Sequence, residues 1–176
     1  MNIDLEKLKH DPQLAAQIVF LSSIGHVCLQ WSLLELTLLA FLSSLEEIDV
    51  EKGEIIFGGL DIKPRINMAI TLATQHNLPL PMLKELRAIR KVIQQDLTER
   101  RNQAIHGAHG ESAVLGTYNL RMSRWPAPKR LQPVSYEDMI ALSSEIHVVQ
   151  QRTYQVLSDM AAWRIRRAKA GSSTTQ

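Results

Sequence analysis

The residues best equipped for chemistry lie together in Glu99-Arg100-Arg101-Asn102-Gln103-Ala104-Ile105-His106-Gly107. A guanidinium presents a planar fork of donors that matches phosphate oxygens, and an imidazole titrates near neutrality. Four residues separate Arg101 from His106 and five separate Arg100 from it, so either arginine satisfies the spacing. Such a pair suits phosphodiester cleavage in RNA. The ribose 2′-hydroxyl attacks the adjacent phosphorus when a base takes its proton and an acid protonates the departing 5′-oxygen. An imidazole with a pKa of about 6.5 can do either. Arg101 would hold the non-bridging oxygens and offset the extra charge of the phosphorane. Asn102 and His106, at i and i+4, share a helix face, so Asn102 could orient the imidazole or bond to phosphate. A plainer account also exists. A histidine in a last helical turn complements the helix dipole, Gly107 is the usual residue past a helix end, and paired arginines solvate as surface charge.

The bulk composition limits the alternatives. With 176 residues, 45% apolar and 22% charged, the chain is an ordinary soluble globular protein long enough for one substantial core. Twenty Lys and Arg against eighteen Asp and Glu leave a net charge of +2, so any nucleic-acid site must be local. The single cysteine, Cys28, excludes an intrachain disulfide and a cysteine-based zinc site. A reducing cytoplasm is the expected location, and Met1-Asn2-Ile3-Asp4-Leu5-Glu6 lacks the layout of an export signal.

Several helices must carry the motif. Residues 1–10 form a lead-in, and Asp11-Pro12 is a strong helix start. From there to about Leu45 the sequence is apolar almost all round, with no Lys or Arg between Gln13 and Leu45. Gln30, Glu35, Ser22, Ser23 and His26 interrupt it and neither flank is a basic anchor. The pattern therefore favours a helix buried on several sides, by its own bundle and by a partner subunit, over a membrane span. Short helices are expected over 51–59 and 61–76, with a break at Asn77-Leu78-Pro79-Leu80-Pro81. Leu83, Leu86, Ile89, Ile93, Leu97, Ala104 and Ile105 then mark one amphipathic helix from Met82 to His106. Residues 108–134 change character, and 114–122 suggest a hairpin or an extended loop. Ser135 with Asp138 makes a cap-like start for a last helix to about Arg167, whose expected inner face is Met139, Leu142, Ile146, Val149, Tyr154, Leu157 and Ala161. The expected fold is an all-α, up-and-down helical bundle with a short extended or hairpin insert before its last helix. A single domain spans 11–168, and 169–176 form a disordered tail.

Arg101-Asn102-x-x-x-His106-Gly107 at a helix end, a leading helix carrying Trp31-Ser32-Leu33-Leu34-Glu35, and a long final helix together resemble the HEPN superfamily. The resemblance covers about Leu14 to Ala162, and its specific part is that one short motif. It implies a compact α-helical domain and, in many members, a metal-independent endoribonuclease of toxin–antitoxin or defence systems that works as a homodimer bringing two motifs together. Arg101, Asn102 and His106 would be the catalytic residues, with Arg100 an alternative for the arginine. Other members bind without cleaving, as dimeric modules for RNA, a nucleotide or a protein, and an antitoxin or nucleotidyltransferase is the partner implied. No cofactor and no membrane association are expected.

Remaining residues fill supporting roles. Glu35, a carboxylate among leucines, needs a partner or an opening, and could hold Arg100 or Arg101; a narrow polar strip with Ser32 would account for it equally. Arg121, Arg124, Lys129 and Arg130 surround Trp125 in the insert, mixing basic and aromatic groups as single-strand binders do. Arg164, Arg166, Arg167 and Lys169 could touch an RNA backbone or simply complement the end of the last helix. His106-x-x-His109 with Glu111 is too loose for a metal site, since Gly107 breaks the helix between the histidines.

Overall fold

The computed structural model describes residues 11–106, 108–112, 116–120, 131–133 and 135–172. At Gln13, His106, the three strands and 170–172 it describes the backbone. The fold is an all-α helical bundle with a short extended insert before the last helix. In chain order the elements are α1 (Pro12–Leu45), α2 (Val50–Phe57), α3 (Ile62–Gln75), α4 (Leu80–Val92), a π-helical turn (Ile93–Leu97), α5 (Thr98–His106), β1 (Ala108–Ser112), β2 (Gly116–Leu120), β3 (Leu131–Pro133) and α6 (Tyr136–Ser172). The chain packs as two compact units, Met1–Trp31 with Thr98–Ile146, and Ser32–Leu97 with His147–Gln176.

The helix ends follow from local sequence. Asp11 Oδ1 accepts from the Leu14 amide at 2.9 Å, capping α1 ahead of Pro12. At its other end Ile48 N donates to Ser43 O and Glu47 N to Ser44 O, with Glu47 at φ 54°. That paired pattern closes a helix through one left-handed residue, a place where glycine is usual. Asn77 at φ 54° ends α3 the same way, its amide donating to Thr74 O and that of Leu78 to Ala73 O. Asp49 caps α2 through the Lys52 amide at 2.7 Å. Ser135 and Asp138 cap α6 reciprocally, amide to side chain in both directions.

Within the second unit the core is built from Leu34, Leu38, Phe41 and Leu42 of α1, Ile66 and Ala69 of α3, Leu86 and Ile89 of α4, and Val149, Val156 and Met160 of α6. Gly53 of α2 lies so close to Ser43 of α1 that a Cβ there would collide with the serine Oγ. Arg65 is buried in the same unit. Its Nη2 donates to the carbonyls of Phe57 and Gly58, at the end of α2, and its Nη1 to that of Glu35 at 3.2 Å. A buried guanidinium thereby satisfies helix-end carbonyls that would otherwise lose their hydrogen bonds.

The structure refines the sequence reading in four places. The expected helix from Met82 to His106 begins at Leu80 and contains the π turn Ile93–Leu97. A π turn adds one residue to the ladder, so each later side chain takes the face its predecessor would have held. The insert forms a three-stranded antiparallel meander, β1-β2-β3, rather than a hairpin confined to 114–122. Ala108 pairs with Leu120, Ser112 with Gly116, and Leu120 with Leu131. On α6 the inner face continues from Ile146 and Val149 through Thr153, Val156 and Met160, whereas Tyr154 and Ala161 are exposed. The 3.6-residue period carries the stripe to 153 and 156, and Tyr154 falls about 100° away. Residues 169–172, expected in the tail, extend α6, because Ala168, Lys169 and Ala170 favour helix; 173–176 lie outside the described residues.

Helix α1 is apolar on more faces than the chain covers. Val27, Trp31, Leu34 and Leu38 are buried, but Leu21 is 64% exposed and Leu29 54%. By length and composition the stretch Leu14–Leu45 could cross a membrane, and half of its most apolar window is buried within the protein.

Candidate functional site

The motif helix α5 belongs to the first unit, together with the α1 residues up to Trp31 and the α6 residues up to Ile146. Three contacts between these helices define a corner. Arg100 of α5 meets Glu145 of α6 through two hydrogen bonds, Nη1 to Oε2 at 2.6 Å and Nη2 to Oε1 at 3.0 Å. Arg101 lies with its guanidinium carbon 5.0 Å from the ring centroid of Trp31, a residue 2% exposed. His26 of α1 has Nδ1 3.1 Å from Ser143 Oγ of α6, and its Nε2 faces the Gln30 side-chain amide at 3.4 Å.

These contacts give two adjacent arginines different tasks. Arg100 forms the fork-to-fork pair in which guanidinium and carboxylate match edge to edge, and both side chains remain partly exposed. Arg101 donates from Nη1 to Asn102 Oδ1 at 2.9 Å and rests on the indole. Among the described residues no carboxylate lies within ion-pair distance of Arg101, and its buried Nε has no hydrogen-bond partner. A covered N–H without an acceptor costs about 1–3 kcal/mol. Arg101 therefore keeps its charge and one donor edge uncommitted, while Arg100 spends both on Glu145.

Asn102 is exposed on α5 and holds Arg101. His106 is the last residue of α5, and its side chain lies outside the described residues. Arg121, Arg124, Lys129 and Arg130 also lie outside the described residues. Glu35 belongs to the second unit and is half-buried, with its carbonyl accepting from Arg65. A carboxylate that holds Arg100 is Glu145, which the sequence did not mark out. Nothing local marks it, because the pair joins residues 45 apart in sequence. His26 and Ser143 were missed for the same reason, being 117 apart. Trp31 stood in the sequence as part of a motif; its place under Arg101 required the fold.

No family model, curated protein or solved structure matches this chain.

Proposed function

We propose that the chain is a metal-independent endoribonuclease of the HEPN type, acting as a cytoplasmic homodimer in a toxin–antitoxin or defence setting. The observation that carries this reading is the division of labour between the two arginines. Arg100 is neutralised by Glu145, whereas Arg101 sits at the motif position with charge and donors to spare. A phosphate oxygen drawn to Arg101 would receive a charge-assisted hydrogen bond from its guanidinium. Asn102 steadies the guanidinium from the neighbouring position.

In the proposed reaction a neutral His106 imidazole takes the 2′-hydroxyl proton as the 2′-oxygen bonds to phosphorus. The bond from phosphorus to the 5′-oxygen breaks, and an imidazolium protonates that oxygen, leaving a 2′,3′-cyclic phosphate and a free 5′-hydroxyl. One chain offers one such histidine in the motif, so the second comes from the second copy. The uncovered apolar face of α1 supports pairing with that copy. Leu21 and Leu29 are exposed on either side of Gly25, where an added Cβ would meet nothing within 4 Å. An antitoxin or nucleotidyltransferase remains the partner class implied by this reading.

The test is cleavage of a structured RNA in EDTA. Products ending in 2′,3′-cyclic phosphate, lost in both Arg101→Ala and His106→Ala, are expected. Intact RNA with the wild-type chain, or equal cleavage by the variants, would overturn the reading, and binding without cleavage would identify a binding module instead.

A further inference from the structure

A second basic and aromatic cluster stands in the second unit, where α6 passes the end of α1. Arg164 of α6 donates from Nη1 to Ser44 O and from Nη2 to Leu45 O, the latter at 2.8 Å, which closes the end of α1. Glu47, in its left-handed conformation, brings a carboxylate oxygen to 3.7 Å from Arg164. His76, just past α3, has Nε2 3.1 Å from Glu46 Oε1. One turn along α6, the Arg167 guanidinium carbon lies 5.3 Å from the ring centroid of Trp163. Glu47, His76, Trp163, Arg164 and Arg167 line a cavity of about 380 Å³, within the ~300–1,000 Å³ usual for small-ligand sites.

The charges in this cavity are unevenly committed. Arg164 is turned to main-chain carbonyls and Glu47, and His76 faces Glu46. Arg167 is exposed and has no carboxylate within ion-pair distance among the described residues. A guanidinium lying on an indole keeps its N–H edge for an anion and its outer plane for a flat ring. The complementary ligand is a planar aromatic group bearing a negative charge. The cavity of about 450 Å³ beside α4 offers no such preference, because its lining pairs Arg152 with Glu85 at 2.6 Å, sets Asp159 beside Arg166, and includes no aromatic ring among the described residues.

We propose that the cavity binds one nucleotide unit, its base stacked on the Trp163–Arg167 pair and its phosphate on the Arg167 edge. This site is independent of the RNA-cleavage reading. A free nucleoside monophosphate and a nucleotide within a single RNA strand share the required chemistry, so both are probes. The Arg101→Ala chain, folded by circular dichroism, is titrated in EDTA with AMP by calorimetry and with a labelled oligoadenylate by fluorescence anisotropy. Saturable binding is expected in at least one arm. Arg167→Ala and Trp163→Leu, each added to that chain, weaken it about tenfold. Arg167→Lys, which keeps the charge without the stacked plane, gives an intermediate loss. Saturation by AMP identifies a free-nucleotide site, and saturation by the oligonucleotide alone identifies a strand site. No saturable binding in either arm, or binding that Arg167→Ala and Trp163→Leu leave unchanged, overturns the proposal.

Discussion

Each unit contains an arginine lying on a tryptophan, and the two pairs differ in what surrounds them. Arg101 and Trp31 in the first unit are 5.0 Å apart, Arg167 and Trp163 in the second 5.3 Å, so the cation–π geometry is nearly the same. Trp31 is buried, and Arg101 above it is half-buried and steadied by Asn102. Trp163 is half-buried and Arg167 is exposed at the rim of a cavity. The first pair rests on a core residue; the second lies at the surface beside a cavity. Burial, rather than the pair itself, sets how firmly a stacked arginine is held, because desolvation strengthens and fixes a contact that water would otherwise screen.

The largest expected effect tests that contrast directly. Trp31→Ala should lower the free energy of unfolding by about 3–5 kcal/mol, the range for emptying a tryptophan site in a core. Trp163→Ala should lower it by no more than about 1 kcal/mol. Equal losses in denaturant titrations would erase the distinction between the pairs. Next is the division between neighbours on α5. Arg101→Ala should slow RNA cleavage by about 100- to 1,000-fold, as removal of a transition-state donor does, whereas Arg100→Ala should leave the rate within about tenfold. A reversed order, measured by single-turnover cleavage, would transfer the phosphate-binding role to Arg100.

A smaller effect is expected at the acid that holds Arg100. Arg100 and Glu145 are both partly exposed, so Glu145→Gln should cost about 0.2–1 kcal/mol and the difference should shrink in high salt. A larger, salt-insensitive loss in thermal melts would mean the pair is more deeply embedded than its exposure indicates. The smallest effects concern the helix starts of the two units. The Lys52 amide, then the Lys52 side chain, hold the Asp49 carboxyl below its ordinary 3.8. Its own backbone amide, then the Ser135 side chain, hold that of Glu137 below 4.5. Depressed folded-state values mean that acid favours the unfolded chain. Both contributions are complete above the ordinary values and disappear as pH falls through the folded ones. Asp49→Asn and Glu137→Gln should each flatten the acid limb of stability as pH falls below the ordinary values of these carboxyls. An unchanged limb would show that these caps are already open in solution.

Much of the fold was legible because it rests on local rules. Asp11-Pro12, the Ser135–Asp138 pair and the Asn77 break are read from a few neighbouring residues, and each occupies the place that capping or turn chemistry assigns. Amphipathic stripes were legible for as long as the period held. Leu83, Leu86, Ile89, Ile93 and Leu97 are all buried as the pattern requires. Tyr154 misled because an aromatic one position off the stripe looks like core, and the backbone period overrode it. Other features had no local signal at all. The π turn left no mark in the apolar period, and the burial of Arg65 under helix-end carbonyls and the pairing of Arg100 with Glu145 depend on residues distant in sequence.

By itself, the sequence determined a helical protein with two arginines, an amide and an imidazole clustered around 100–106, since composition, periodicity and side-chain chemistry are properties of neighbours along the chain. It left open which contacts the two adjacent arginines would make, because Arg100 and Arg101 are equivalent in type and differ by one helical step. Tertiary structure gave them different partners. Within the first unit, α5 directs Arg100 to the Glu145 carboxylate and lays Arg101 on Trp31. One residue of register is about 100° of rotation, enough to exchange a neutralising acid for an aromatic face.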